Sequence, residues 1–102
     1  MTINVVFDTT EQKAKVTFNA SSAPNVDHYS VRICVGATYN TDVENVIASI
    51  PAGPGPFVFF TDEGLAAAGD TISIKVYTVN ETQNEKGSNA VAVTRPTSPT
   101  PP

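Results

Sequence analysis

Hydrophobic and polar residues alternate along this chain in short runs, and the runs are separated by Gly, Pro, Asn, Asp and Ser. A period of two sends successive side chains to opposite faces of an extended backbone, so it specifies half-buried strands rather than amphipathic helices. The clearest run is Asp27 to Gly36. Tyr29, Val31, Ile33 and Val35 fall on one face, expected inward, and His28, Ser30, Arg32 and Cys34 on the other. Lys13 to Ala20 sets Ala14, Val16, Phe18 and Ala20 against Lys13, Lys15, Thr17 and Asn19. Thr71 to Asn80 sets Ile72, Ile74, Val76 and Thr78 against Ser73, Lys75, Tyr77 and Val79. Thr2 to Phe7 groups Ile3, Val5 and Phe7.

The remaining segments are less regular. Asp42 to Ile50 reads as a short edge strand, because Val46 and Ile47 are adjacent and cannot share a face. It stops at Pro51, where a Pro/Gly-rich stretch to Pro56 lacks the donors a sheet interior needs. Phe57 to Phe60 is apolar on both faces, so one set of side chains needs a cover, either the preceding proline loop or a partner. Thr61 or Asp62 is placed to cap a single helical turn over Glu63 to Ala68, ended by Gly69 and too short to pack as an element. Glu81 to Ser88 reads as a polar loop and Ala90 to Arg95 as a last strand. That makes about seven strands, the number expected of an antiparallel Ig-like β-sandwich. Pro96 to Pro102 reads as an extended proline-rich tail or linker, leaving residues 1–95 as one domain.

A chain of 102 residues holds one core and no second lobe. The net charge of −4 and the absence of a basic cluster exclude a phosphate backbone as partner. Cys34 is the only cysteine, so no internal disulfide forms. No apolar run is long enough for membrane insertion, and the first residues carry no signal-peptide pattern.

The segment Ala68-Gly-Asp-Thr-Ile-Ser-Ile-Lys-Val-Tyr-Thr-Val-Asn80 is similar to the stretch that enters strand F of fibronectin type III domains. Val16-Thr-Phe18 resembles that family's strand B and His28-Tyr-Ser-Val31 its strand C, so the resemblance covers roughly Lys13 to Pro96. It implies an all-β, seven-stranded antiparallel sandwich of fibronectin type III topology. The chain departs from the pattern in two places. Phe18 stands where the family usually has Trp, and Ile72 occupies the tyrosine corner, so the hydroxyl bond made there is missing. The integrin-binding Arg-Gly-Asp tripeptide is absent from the loop Glu81 to Ser88.

No constellation for catalysis emerges. His28 and Cys34 lie on one strand face roughly 20 Å apart, too far to form a dyad. Ser30 is nearer His28, but Asp27 is expected on the opposite face and supplies no orienting acid. Asp62 and Glu63 are explained as a turn cap, and no metal-ligand spacing or phosphate-cradling glycine motif occurs, so no cofactor is implied. Asn19-Ala-Ser21 and Asn80-Glu-Thr82 are glycosylation sequons without an accompanying signal.

These residues lead to the expectation of a non-catalytic interaction domain. The outward side of the third and sixth strands mixes aromatic, basic and apolar groups, which makes Arg32, Cys34, Lys75, Tyr77 and Val79 the candidate protein contacts. The expected partners are neighbouring protein subunits, as in a virion, a phage tail or an adhesive surface fibre, with a virion or extracellular location. The alternative is an accessory module of a secreted bacterial carbohydrate-active enzyme, since Pro/Thr/Ser tails resemble the linkers of such modules. Carbohydrate enters as a ligand only under that alternative.

Overall fold

The computed structural model describes residues 1–97, and the proline-rich tail from residue 98 onward lies outside them. Among the described residues the chain forms eight strands in two antiparallel sheets. One sheet has the order β1 (Ile3–Asp8), β2 (Lys13–Phe18), β5 (Phe57–Thr61). The other has the order β4 (Asn45–Pro51), β3 (Val26–Val35), β6 (Thr71–Asn80), with β7 (Glu85–Gly87) and β8 (Val91–Thr94) both paired to the far edge of β6.

The alternating runs deliver the core. Val16 and Phe18 from the first sheet meet Tyr29, Val31, Ile33, Ile74 and Val76 from the second, all buried. Phe18 supplies the aromatic packing expected of a larger ring by clustering with two others. Its ring centroid lies 5.2 Å from that of Tyr29 and 5.0 Å from that of Phe57. Such pairs add about 0.5–1.5 kcal/mol beyond the area they bury.

Several local expectations are corrected. The strand count rises to eight because the last strand is broken. Residues expected in the polar loop pair as β7, and the gap before β8 holds Ser88 and Asn89. Ser88 bonds main chain and hydroxyl to Val76, while Asn89 turns to the other sheet and makes two hydrogen bonds with the Ile3 backbone, at 2.8 and 3.2 Å. The break is where the two sheets are tied edge to edge.

The helical turn over Glu63 to Ala68 does not form. Thr61 Oγ1 accepts from the Glu63 amide, and the chain then dips so that Leu65 is fully buried, which makes this connection a packing element after all. Gly64 permits the dip: its φ is +73°, and a Cβ there would sit 2.6 Å from Ile72 Cγ2. Only glycine accepts both conditions without strain.

Val35, expected inward, is 80% exposed. It pairs with Ile72 at the end of the β3–β6 ladder, where Gly64 lies against Ile72 and the Val35 side chain is left open. Asp27, expected opposite His28, lies beside it, because the β3–β6 register shifts between Val26 and His28 and Asp27 is the extra residue. A second shift, opposite Val31 and Arg32, leaves Ile47 as the extra residue of β4. That bulge resolves the Val46–Ile47 adjacency: Ile47 packs toward the core and Val46 stays exposed.

The entry to β6 is tied to the end of β8. Arg95, just past β8, donates from Nη1 to the Leu65 carbonyl at 2.9 Å, and its main chain pairs with Gly69 and Asp70.

Candidate interaction surface

The outer face of the β3–β6 pair is built on register. Arg32 lies opposite Lys75, and Tyr77 lies opposite Ser30 on one side and Gly87 on the other. Arg32 is thus the diagonal neighbour of Tyr77 and Lys75 precedes it by two on the same face, separations that long side chains span, so the cations settle on the ring. The Arg32 guanidinium stands 4.0 Å from the Tyr77 centroid; Lys75 Nζ lies 5.1 Å from it and 5.3 Å from the Tyr39 ring. Gly87 leaves room for the lysine stem, since a Cβ there would meet Lys75 Cε at 2.9 Å.

Two carboxylates complete the cluster. Glu85 receives both Arg32 Nη atoms, at 3.1 and 2.5 Å, and Glu44 lies 3.6 Å from Nη1. The Glu85 bond holds the Arg32 guanidinium more firmly charged and in turn keeps the Glu85 carboxyl below its ordinary range. Tyr39 donates its hydroxyl to Glu44 at 2.5 Å. Burial first, and the Glu44 contact next, push both the Tyr39 and Tyr77 phenols up. Arg32, Tyr39, Glu44 and Glu85 are thus hydrogen-bonded or paired within the chain, while Lys75 meets the two rings.

Of the expected contact residues, the structure brings Arg32, Lys75 and Tyr77 together. Tyr77 is 8% exposed, and the Arg32 side chain beside it is itself only 12% exposed, held by Glu85 and Glu44. Cys34 is 1% exposed and its thiol donates to the Asn40 carbonyl at 3.0 Å. Val79 is 2% exposed. Both lie beneath the surface rather than on it. Tyr39, Glu44 and Glu85 escaped the sequence reading, because they sit in or beside irregular segments whose approach to β3 has no periodic signal.

His28 Nδ1 and Asp27 Oδ2 are 2.7 Å apart, so the acid-imidazole pair that alternation had excluded does exist. Among the described residues it meets no nucleophile: the Ser30 hydroxyl is buried and accepts from Arg32 Nε at 3.0 Å. Among the described residues no group of three or more His, Cys, Asp or Glu is placed to hold a metal ion, and no helix is long and apolar enough to cross a membrane.

A second surface is the outer face of β1, β2 and β5. Lys15 lies between Val6 and Phe60 in one cross-strand row, with Val58 in the next. Val6, Val58 and Phe60 are exposed. The proline loop does not cover them; Gly53 and Gly55 pack on Phe57, at the end of the strand.

A third region is the sandwich end where the β2–β3 and β6–β7 loops meet. Tyr29 OH accepts from the Ser21 amide at 2.8 Å, and the Glu81 amide donates to the Asn25 carbonyl at 3.0 Å. Asn80 Oδ1 accepts from Thr82 N, Thr82 Oγ1 and Asn84 N, which fixes the β6–β7 loop. Both sequons lie at this end, Asn19 exposed and the Asn80 amide held by this network.

No protein-family model matches the chain, and no curated protein does. Solved structures do. An Fn3-like protein from Clostridium thermocellum is 20% identical, with a TM-score of 0.64 over 96% of this chain and 92% of that one. The fold is Fn3-like. Pectate lyase PelI from Erwinia chrysanthemi matches over 89% of this chain with 22% identity and a TM-score of 0.65. The same enzyme in complex with tetragalacturonic acid gives 0.68. This Fn3-like domain spans about a quarter of the pectate lyase, 26% in one structure and 27% in the other. Nothing among these matches bears on a virion, a phage or adhesion.

Proposed function

We propose that this Fn3-like domain is a non-catalytic accessory module associated with a polysaccharide-acting polypeptide, as a spacer or binding element beside a separate catalytic part. The observation that carries this reading is the partial overlap with pectate lyase: the same sandwich, over most of this chain, makes up about a quarter of an enzyme whose substrate is an acidic polysaccharide. The reading is supported by the self-satisfied state of the chemical groups. Among the described residues His28 hydrogen-bonds Asp27, Ser30 is held by Arg32, and the Cys34 thiol donates to Asn40. On this reading the partners are adjoining protein domains and, through them, polysaccharide in an extracellular setting. The net charge of −4 argues against nucleic acid.

The test is a turnover assay of the purified chain against polygalacturonate, neutral polysaccharides and simple esters. The proposal predicts no product above the uncatalysed blank. Turnover that disappears in His28→Ala would overturn it.

A further inference from the structure

We propose that the loop end of the sandwich is a binding site for an acidic glycan, with Lys86 pairing to a uronate carboxylate; this rests on the accessory-module reading. A cleft of about 370 Å³ lies between the β2–β3 loop and the β6–β7 loop. That volume falls within the roughly 300–1,000 Å³ of small-molecule sites. A second hollow of about 260 Å³ adjoins it, with Met1, Ser21 and Ser22 lining both. Two adjoining hollows suit a polymer segment better than an isolated small molecule.

The chemistry of the walls selects the ligand. Pro24 and Val26 supply apolar contact, and Ser22, Asn80 and Asn84 supply neutral polar groups. Asn80 is oriented by the three bonds to its Oδ1, so its Nδ2 is presented in a fixed direction, without an acceptor among the described residues. A fixed neutral donor beside an apolar strip matches the hydroxyls and C–H face of a sugar ring.

Charge narrows the class further. Glu85 also lines the cleft, but its carboxylate is committed to Arg32. Lys86 makes no ion pair among the described residues. The uncommitted side-chain charge in the cleft is therefore one ammonium, on a molecule that is otherwise acidic. A ligand rich in hydroxyls with spaced single carboxylates complements this, whereas a densely charged polyanion would meet one cation and a repelling surface.

The experiment is a ¹H–¹⁵N NMR titration with tetragalacturonate, with a neutral glucose tetrasaccharide and a poly-glutamate peptide as comparators. The expected result is shift changes confined to residues 21–26 and 78–87. Affinity should fall at least about tenfold in Lys86→Ala, as for loss of a charge-assisted hydrogen bond, and be kept in Lys86→Arg. The same spectra report whether each variant is folded. Absence of shifts at millimolar ligand, equal response to poly-glutamate or to the neutral tetrasaccharide, or changes centred on Lys15 and Phe60 would each overturn the site. A silent cleft in a chain shown to belong to a polysaccharide-acting polypeptide removes the site and leaves the module reading. Specific binding by a chain that exists free in its source keeps the site and removes that reading.

Discussion

Arg95 and Leu65 lie 30 residues apart in sequence and are joined by a hydrogen bond of 2.9 Å from guanidinium to main-chain carbonyl. The bond pins the β5–β6 connection to the end of β8. Arg95 also reaches Gln12 Oε1 at 3.2 Å, so one side chain ties three segments. Arg95→Ala should lower stability by about 1–3 kcal/mol, the range for a hydrogen bond to a charged group. Urea unfolding measures it, and Arg95→Lys should recover less than half, because an ammonium lacks the planar fork. An unchanged midpoint in Arg95→Ala would contradict this role.

Leu65 is the core residue that the connection delivers. Leu65→Ala should cost about 2–5 kcal/mol, the usual penalty for truncating a fully buried leucine. Gly64→Ala removes no contact and adds one methyl, yet it should destabilise by about 1–3 kcal/mol through the positive φ and the clash with Ile72. Thermal unfolding of both variants checks the pair; a neutral Gly64→Ala would mean the connection relaxes freely.

The Arg32–Glu85 pair predicts a modest acid dependence. Arg32 lowers the Glu85 pKa in the folded protein, so its stabilisation is fully present above the unfolded-state value, about 4.3, and is lost as pH falls through the lower folded value. The Glu85 side chain is 42% exposed, which holds the effect below about 1 kcal/mol. Denaturation midpoints of the parent and Glu85→Gln, compared from neutral pH downward, should converge in acid. A difference that persists there would rule out titration of Glu85 as the cause.

Tyr39 predicts the opposite end of the scale. Its phenol is pushed far up by burial and by Glu44, so folding holds a proton that the unfolded chain releases above about pH 10. The corresponding stability is complete below that pH and declines as alkalinity rises. Tyr39→Phe should flatten part of this decline, with Tyr77 responsible for the remainder. Equilibrium unfolding at successive alkaline pH values reads the slope directly.

The sheets were legible where alternation was strict. Ala14, Val16 and Phe18 on β2, and Ile72, Ile74 and Val76 on β6, are all buried as the period requires. The failures mark places where a single residue breaks the period or a distant contact decides. Asp27 and Ile47 are extra residues in shifted registers, and no local pattern announces a bulge. Leu65 fell in a turn read as too short to pack, because Gly64 lying against Ile72 is a contact that only the folded chain shows. The surface cluster divided in the same way. Arg32, Lys75 and Tyr77 could be brought together from strand faces, whereas Glu85 reaches Arg32 across 53 residues of sequence.

The central claim, that this Fn3-like domain serves as an accessory module, is tested most directly by the mass of the polypeptide that carries it in its natural source. An antibody raised against residues 1–97 should detect, in the extracellular fraction, a band well above the 10.7 kDa of this chain. Peptide sequencing of that band should then find a polysaccharide-acting catalytic domain. A band at 10.7 kDa that co-sediments with a large particle would contradict the account and return the domain to a subunit role.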